Sequence, residues 1–235
     1  MAARARLLPV ALALVAAAVC ASGSARADTN SALCGVAPYS YAGVIGENPT
    51  GGVMATVELT ATPQVQHGHV AAWVGVGGVG EGPGRSNEWL QVGLATTDSS
   101  PTELYFEVTR PNTAPRFVPL DVPAGQHRVG VAEMAHRPNW WRVWVDAKPV
   151  SAPTYLPGSH GRWAPVATSE SWNGGVPSCN AFGYRFLDVR WSRPADRVRG
   201  LWSPLRNRYE IDDPGYSVQP TPDAGLLVSG GAPAA

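Results

Sequence analysis

The chain is poor in charge. Only 15% of its 235 residues are Asp, Glu, Lys or Arg, with eighteen acidic and eighteen basic side chains. No basic stripe runs along it, so a nucleic-acid partner is not expected. Helix-period patterning is scarce: no such segment exceeds about two turns. Long apolar runs are missing beyond the first residues, so no later segment reads as a membrane helix. Catalytic signatures are missing too. There is no G-x-S-x-G elbow for a nucleophilic serine. "GSHG" (158–161) sets Ser159 beside His160, but a nucleophile and its base meet through the fold, not as sequence neighbours. "GVGGVGEGPG" (75–84) is followed by no lysine and opens no helix, so it is not a phosphate loop. His67 and His69 lack a third ligand at useful spacing and read as a polar turn; no metal or other cofactor is expected. Glu58, Glu88, Glu103, Glu107, Glu133 and Glu170 are available as acids, but no E-x-D-x-E cluster pairs them for sugar hydrolysis.

What is present begins with the leader. "MAARARLLPVALALVAAAVCASGSARA" carries early arginines, an apolar run from Leu7 to Val19, and small residues ending Ala25-Arg26-Ala27. That pattern predicts a secretory signal peptide over 1–27, cleaved before Asp28, and hence an extracellular protein with no membrane anchor after cleavage. A lipid anchor at Cys20 is the weaker alternative, because Val19 is bulkier than such a site usually accepts. Removing Arg4, Arg6 and Arg26 leaves fifteen basic against eighteen acidic groups, a net charge of −3. Cys34 and Cys179 remain, and an even pair in an exported chain predicts a disulfide.

Glycine (26), proline (22) and tryptophan (9) are abundant, which suits short strands and many turns. Strand-like runs at 51–61, 69–77, 88–95, 102–109, 127–134, 139–147 and 182–191 alternate with turn-forming segments, the pattern of an all-β sandwich or barrel. One β domain is expected over 28–191, as a monomer. The Pro/Gly-rich segment 192–235 reads as a loosely attached, partly disordered tail that Trp202 and Leu205 pin to the body.

Alternation within the runs gives each strand two unlike faces. In "EWLQVGLA" (88–95), Leu90, Val92 and Leu94 share one face, and Trp89, Gln91 and Gly93 the other. In 102–109, Leu104, Phe106 and Val108 oppose Tyr105, Glu107 and Thr109. In 139–145, Trp141, Val143 and Val145 oppose Trp140, Arg142 and Trp144. A second face of Trp and Tyr with Gln, Glu and Arg is not an ordinary solvent face; it suits the floor of a groove.

Several fragments resemble, in collinear order, the eqolisins, glutamic peptidases that work through a glutamine and a glutamate. "SYAGV" (40–44), "VMATVELTATPQ" (53–64), "AAWVGVGG" (71–78), "LQVGL" (90–94), "LYFEVTRP" (104–111), "VPAGQHRVGV" (122–131), "ATSESW" (167–172) and "NAFGYRFLDV" (180–189) carry the likeness. Gly77 stands where the family pattern has aspartate. The resemblance implies a concanavalin-like jelly-roll sandwich of two antiparallel sheets and a secreted endopeptidase working in acid. It implies Gln91 and Glu170 as the catalytic dyad, with Trp73 and Glu107 beside them. Trp89 and Tyr105 are expected to join those two in binding a polypeptide substrate. In that chemistry the carboxylate activates a water as general base and the glutamine amide donates to the oxyanion. A second reading keeps the sandwich without catalysis: a carbohydrate- or peptide-binding module in which Trp140, Trp144 and Trp89 stack on the ligand and Arg142 supplies hydrogen bonds.

Overall fold

A computed structural model describes residues 38–176 and 178–231. The alternating runs of the sequence become strands because one side of each is aliphatic and needs cover. In chain order they are β1 (Tyr39–Gly46), β2 (Gly52–Gln64), β3 (His69–Gly78), β4 (Glu88–Thr97), β5 (Glu103–Thr109), β6 (Arg116–Pro119), β7 (His127–Glu133) and β8 (Trp140–Val145). They continue as β9 (Lys148–Pro149), β10 (Thr154–Tyr155), β11 (Pro165–Trp172), β12 (Ala181–Ser192), β13 (Ser203–Pro204), β14 (Arg208–Asp212), β15 (Tyr216–Pro220) and β16 (Leu226–Gly230).

Two antiparallel sheets result, as the expected sandwich requires. The first runs β14-β1-β11-β3-β4-β5-β6; the second runs β10-β8-β7-β2-β12-β16-β15, with β9 on β8 and β13 on β12. Their facing sides make one core. Val70, Ala72, Val74, Leu90, Val92, Leu94 and Leu104 come from the first sheet; Val53, Ala55, Val57, Val131, Trp141, Val143, Tyr184 and Phe186 come from the second. All of these are at most barely exposed. Burying a Val- or Leu-sized side chain is worth about 1.5–3 kcal/mol, so this shared layer dominates the stability of the sandwich.

Three features depart from the sequence reading. The segment 192–235 is not a loose tail over its described part. β14 extends the first sheet and β15 and β16 extend the second, where Leu226 and Val228 are fully buried. Leu205 is buried in the core as expected. Strand β11 has no aliphatic alternation to announce it: its inward side chains include Ser169 and Ser171, and Ser169 Oγ donates to the Ala42 carbonyl at 3.0 Å. The third feature is the His67/His69 pair, read as a polar turn: His69 opens β3, where the strand run 69–77 begins, and only His67 stays outside the strand. The signal peptide and Cys34 lie outside the described residues, and with Cys34 the expected Cys34–Cys179 bridge. Among the described residues no helix is long and apolar enough to cross a membrane.

Candidate active site

The outward face of the first sheet is built in rows of laddered residues. One row runs Tyr41–Glu170–Ala71–Ala95–Glu103 across β1, β11, β3, β4 and β5. The next runs Gly43–Thr168–Trp73–Gly93–Tyr105, and the third Ile45–Val166–Gly75–Gln91–Glu107–Phe117. Gln91, Glu170, Trp73, Tyr105 and Glu107 therefore share one face, and Trp89 follows one row further on. This explains a glutamine beside a tryptophan opposite a regular core face: both belong to the outward face of one sheet.

Small residues shape that face. Gly75 leaves room for the Trp73 ring, whose Cζ3 would lie 3.1 Å from a Cβ placed there, with the Gln91 Cβ at 2.9 Å. Trp73 thus leans over Gly75 toward Gln91, while its Nε1–H donates to Glu170 Oε2 at 3.0 Å. The indole stands between the amide and the carboxylate. Gly77 has φ +82, and a Cβ there would run into the Glu88 carbonyl. Only glycine takes that conformation cheaply, so the aspartate of the eqolisin pattern has no place on this backbone.

Glu170, Glu107 and the Gln91 amide on this face have partners. His69 Nε2 donates to Glu170 Oε1 at 3.0 Å. Glu170 thus receives two donors, one on each oxygen, and its side chain is 11% exposed. Gln91 Nε2 donates to the Tyr105 hydroxyl at 3.1 Å, and Trp89 Nε1 donates to Glu107 Oε1 at 2.8 Å. Gln91 and Glu170 make no direct hydrogen bond. In a flat sheet their backbones, two strands and four residues apart, would stand roughly 16 Å from each other. Their approach depends on long side chains reaching over Trp73. Glu107 is the nearer acid to Gln91, directly opposite it in the β4–β5 ladder.

Burial sets the electrostatics. It raises the Glu107 carboxyl above its ordinary range; the Trp89 hydrogen bond pulls it back, and the charge of Glu170 raises it further. Burial, then the Glu170 charge, pushes up the phenols of Tyr41 and Tyr105. Tyr105 was expected to offer an open binding face. Its ring is instead 2% exposed and stacked under Phe117, with centroids 4.6 Å apart, so it positions the Gln91 amide from below. At the other end Tyr39, Tyr41, His69 and Trp172 form an aromatic cluster around Glu170. His69 was missed as a site residue, although counting by twos back from Trp73 along the strand reaches it.

The other candidates resolve as structure. The Ser159 hydroxyl is buried and donates to the Leu156 carbonyl at 2.7 Å while accepting from Trp141 Nε1 at 2.9 Å. His160 Nδ1 pairs with buried Glu133 at 2.8 Å. Ser159 therefore has no free proton for His160 to take. Among the described residues, no group of three His, Cys, Asp or Glu side chains gathers to hold a metal ion.

No family model matches the chain, and no curated protein matches it in sequence. Solved structures do. Scytalido-glutamic peptidase with a peptide-based transition-state analogue superposes with a TM-score of 0.57 at 13% identity, over 81% of this chain and 98% of that one. SCP-B, a member of the eqolisin family solved with the tripeptide Ala-Ile-His, gives 0.55 at 15% identity, over 81% and 98%. Each match covers nearly the whole length of the peptidase, and the chain has the β-sandwich fold of the eqolisin glutamic peptidases.

Proposed function

We propose that the protein is a secreted, glutamic-peptidase-like hydrolase that binds an extended polypeptide across the outward face of the first sheet. One observation carries the reading: Gln91, Glu170 and Glu107 lie on a single outward face around Trp73, although the rest of each strand alternates with a dry core. Glu170 takes a proton from water as general base and returns it to the leaving amine. The Gln91 N–H, turned from Tyr105 toward the substrate, donates to the oxyanion of the tetrahedral intermediate. Trp73 and His69 hold the Glu170 carboxylate in place, and Trp89 does the same for Glu107. Trp89 and Phe117 flank the substrate.

Hydrolysis of a denatured protein between pH 3 and 7 tests this. Gln91→Ala lowers kcat by about 10²–10³, the usual cost of one oxyanion donor, and Glu170→Gln abolishes turnover. Unchanged rates in both variants remove the dyad. Loss in Glu107→Gln but not in Glu170→Gln moves the general base to the acid that adjoins Gln91.

A second reading has its own support. Both Glu170 oxygens are already occupied and Gln91 bonds elsewhere, which fits a groove that holds a peptide without cutting it. Peptide binding at full occupancy with no hydrolysis at any pH selects that alternative.

A further inference from the structure

We propose that the outward face of the second sheet carries a separate ligand site, a pocket for an aromatic carboxylate. The ladder row Arg190–Met54–Gly130–Trp144 crosses β12, β2, β7 and β8. Gly130 leaves a gap between Met54 and Trp144, and a Cβ there would stand 2.9 Å from the Met54 Cβ. The adjoining row, Gly52–Ala132–Arg142, is also small at its centre. Trp202 closes one side: its Cη2 would lie 2.9 Å from a Cβ on Gly52. The pocket so formed encloses about 420 Å³, within the size range of small-molecule sites.

Its polarity is one-sided. Arg128 and Arg197 line it together with Met54, Trp144 and Trp202, and no side chain with a hydrogen-bonding oxygen does. Arg197 stacks on Trp202 at 4.8 Å and gives its Nε–H to the Glu133 carbonyl at 3.2 Å. Its terminal nitrogens have no hydrogen-bond partner among the described residues. Burial works against the Arg197 charge, and the Glu133 carboxylate, itself paired with His160, opposes this only in part; a bound anion would add to that compensation. Arg128 reaches Asp188 only at 3.3 Å, while Arg190 holds the same carboxylate at 2.8 and 2.9 Å. One acid therefore serves two arginines and leaves the pocket cationic.

A neutral sugar fits this lining poorly, because its hydroxyls would find few acceptors. The row of stacking tryptophans expected for a glycan is also broken. Trp140, separated from Trp144 on this face by Arg142, is covered by Arg137 at 4.4 Å and packs on Tyr155 at 5.3 Å. A flat apolar ring against Trp144 and Met54, with a carboxylate on the guanidinium groups, uses what the pocket offers. Such a group belongs equally to a free aromatic acid and to a peptide ending in an aromatic residue. The site lies on the sheet opposite the groove, so it stands whether or not the groove cleaves peptides.

Calorimetric titration of the whole protein tests it, with phenylacetate, its neutral amide, N-acetyl-phenylalanine and glucuronate as probes. At least one aromatic acid saturates the site, and the tighter of the two identifies the source. Phenylacetamide binds about ten- to a hundredfold more weakly than phenylacetate, the worth of a charge-assisted hydrogen bond. Trp144→Leu and Arg197→Met each weaken the acid at least about tenfold. Arg128→Gln, which leaves Arg190 on Asp188, does the same and stands in if Arg197→Met fails to fold. Equal affinity for acid and amide, tighter binding of glucuronate, unchanged affinity in the variants, or no saturation by about 10 mM, weaker than a built pocket of this size allows, overturns the proposal.

Discussion

Trp73 is the residue on which the proposed site turns. Its ring fills the space over Gly75, and its N–H fixes one oxygen of Glu170. Trp73→Phe keeps a ring there and removes the donor. A hydrogen bond to a charged group is worth about 1.5–3 kcal/mol, so turnover that uses Glu170 falls by about ten- to a hundredfold in kcat/KM, and turnover that does not use it stays level. Glu107 offers a spectroscopic check on the same face. Its raised carboxyl means the fold favours the protonated form. The associated stability is complete below the ordinary carboxylate pKa of about 4.5 and is lost as pH rises through the raised value. Because Trp89 donates to Glu107, tryptophan fluorescence follows that titration, and Glu107→Gln removes the step. Alternation in the sequence displayed Gln91 and Glu107 on the face opposite the core, and the eqolisin resemblance pointed to Trp73. The sequence concealed the bonding of Glu170, because His69 and Trp73 reach that carboxylate from another strand.

At the scale of elements, the seven strand runs recognised in the sequence all stand in the sandwich, since each pairs an aliphatic face with a polar or aromatic one. The elements that escaped notice are short or polar on their inward side. β11 turns serines inward, Ser169 donating to the Ala42 carbonyl and Ser171 accepting from the Asn180 amide, and β14 to β16 span only five residues each. The integration of the last strands has a direct consequence. Leu226 is fully buried against the core, so Leu226→Ala costs about 2–5 kcal/mol in chemical denaturation. Limited proteolysis leaves residues up to Gly230 attached. A tail lying loosely on the body would show neither effect.

The whole molecule carries a pH dependence of its own. Glu88, at the start of β4, is fully buried, and neither of its oxygens has a hydrogen-bond partner among the described residues. Burial pushes its carboxyl up to about 7, and only the charge of Arg162 opposes this. The fold therefore favours neutral Glu88. That stability is fully present below about pH 4.5 and is lost as pH rises toward 7, a swing of about 3 kcal/mol. Melting curves from pH 4 to 8 show a fall that Glu88→Gln flattens; parallel curves for the two proteins exclude the effect. Such a profile suits a protein whose proposed chemistry runs in acid. The sequence by itself determined the all-β architecture and the two-faced character of its strands, because hydrophobic alternation is local and each strand reports its own burial. Only the tertiary structure decided which strands lie side by side. That choice brings Glu170 of β11 to His69 and Trp73 of β3, hides Tyr105 under Phe117, and opens a pocket lined by Gly130 and Trp202. Those contacts join residues far apart in the chain, and strand order is set by how whole sheets bury their apolar faces, not by any single segment.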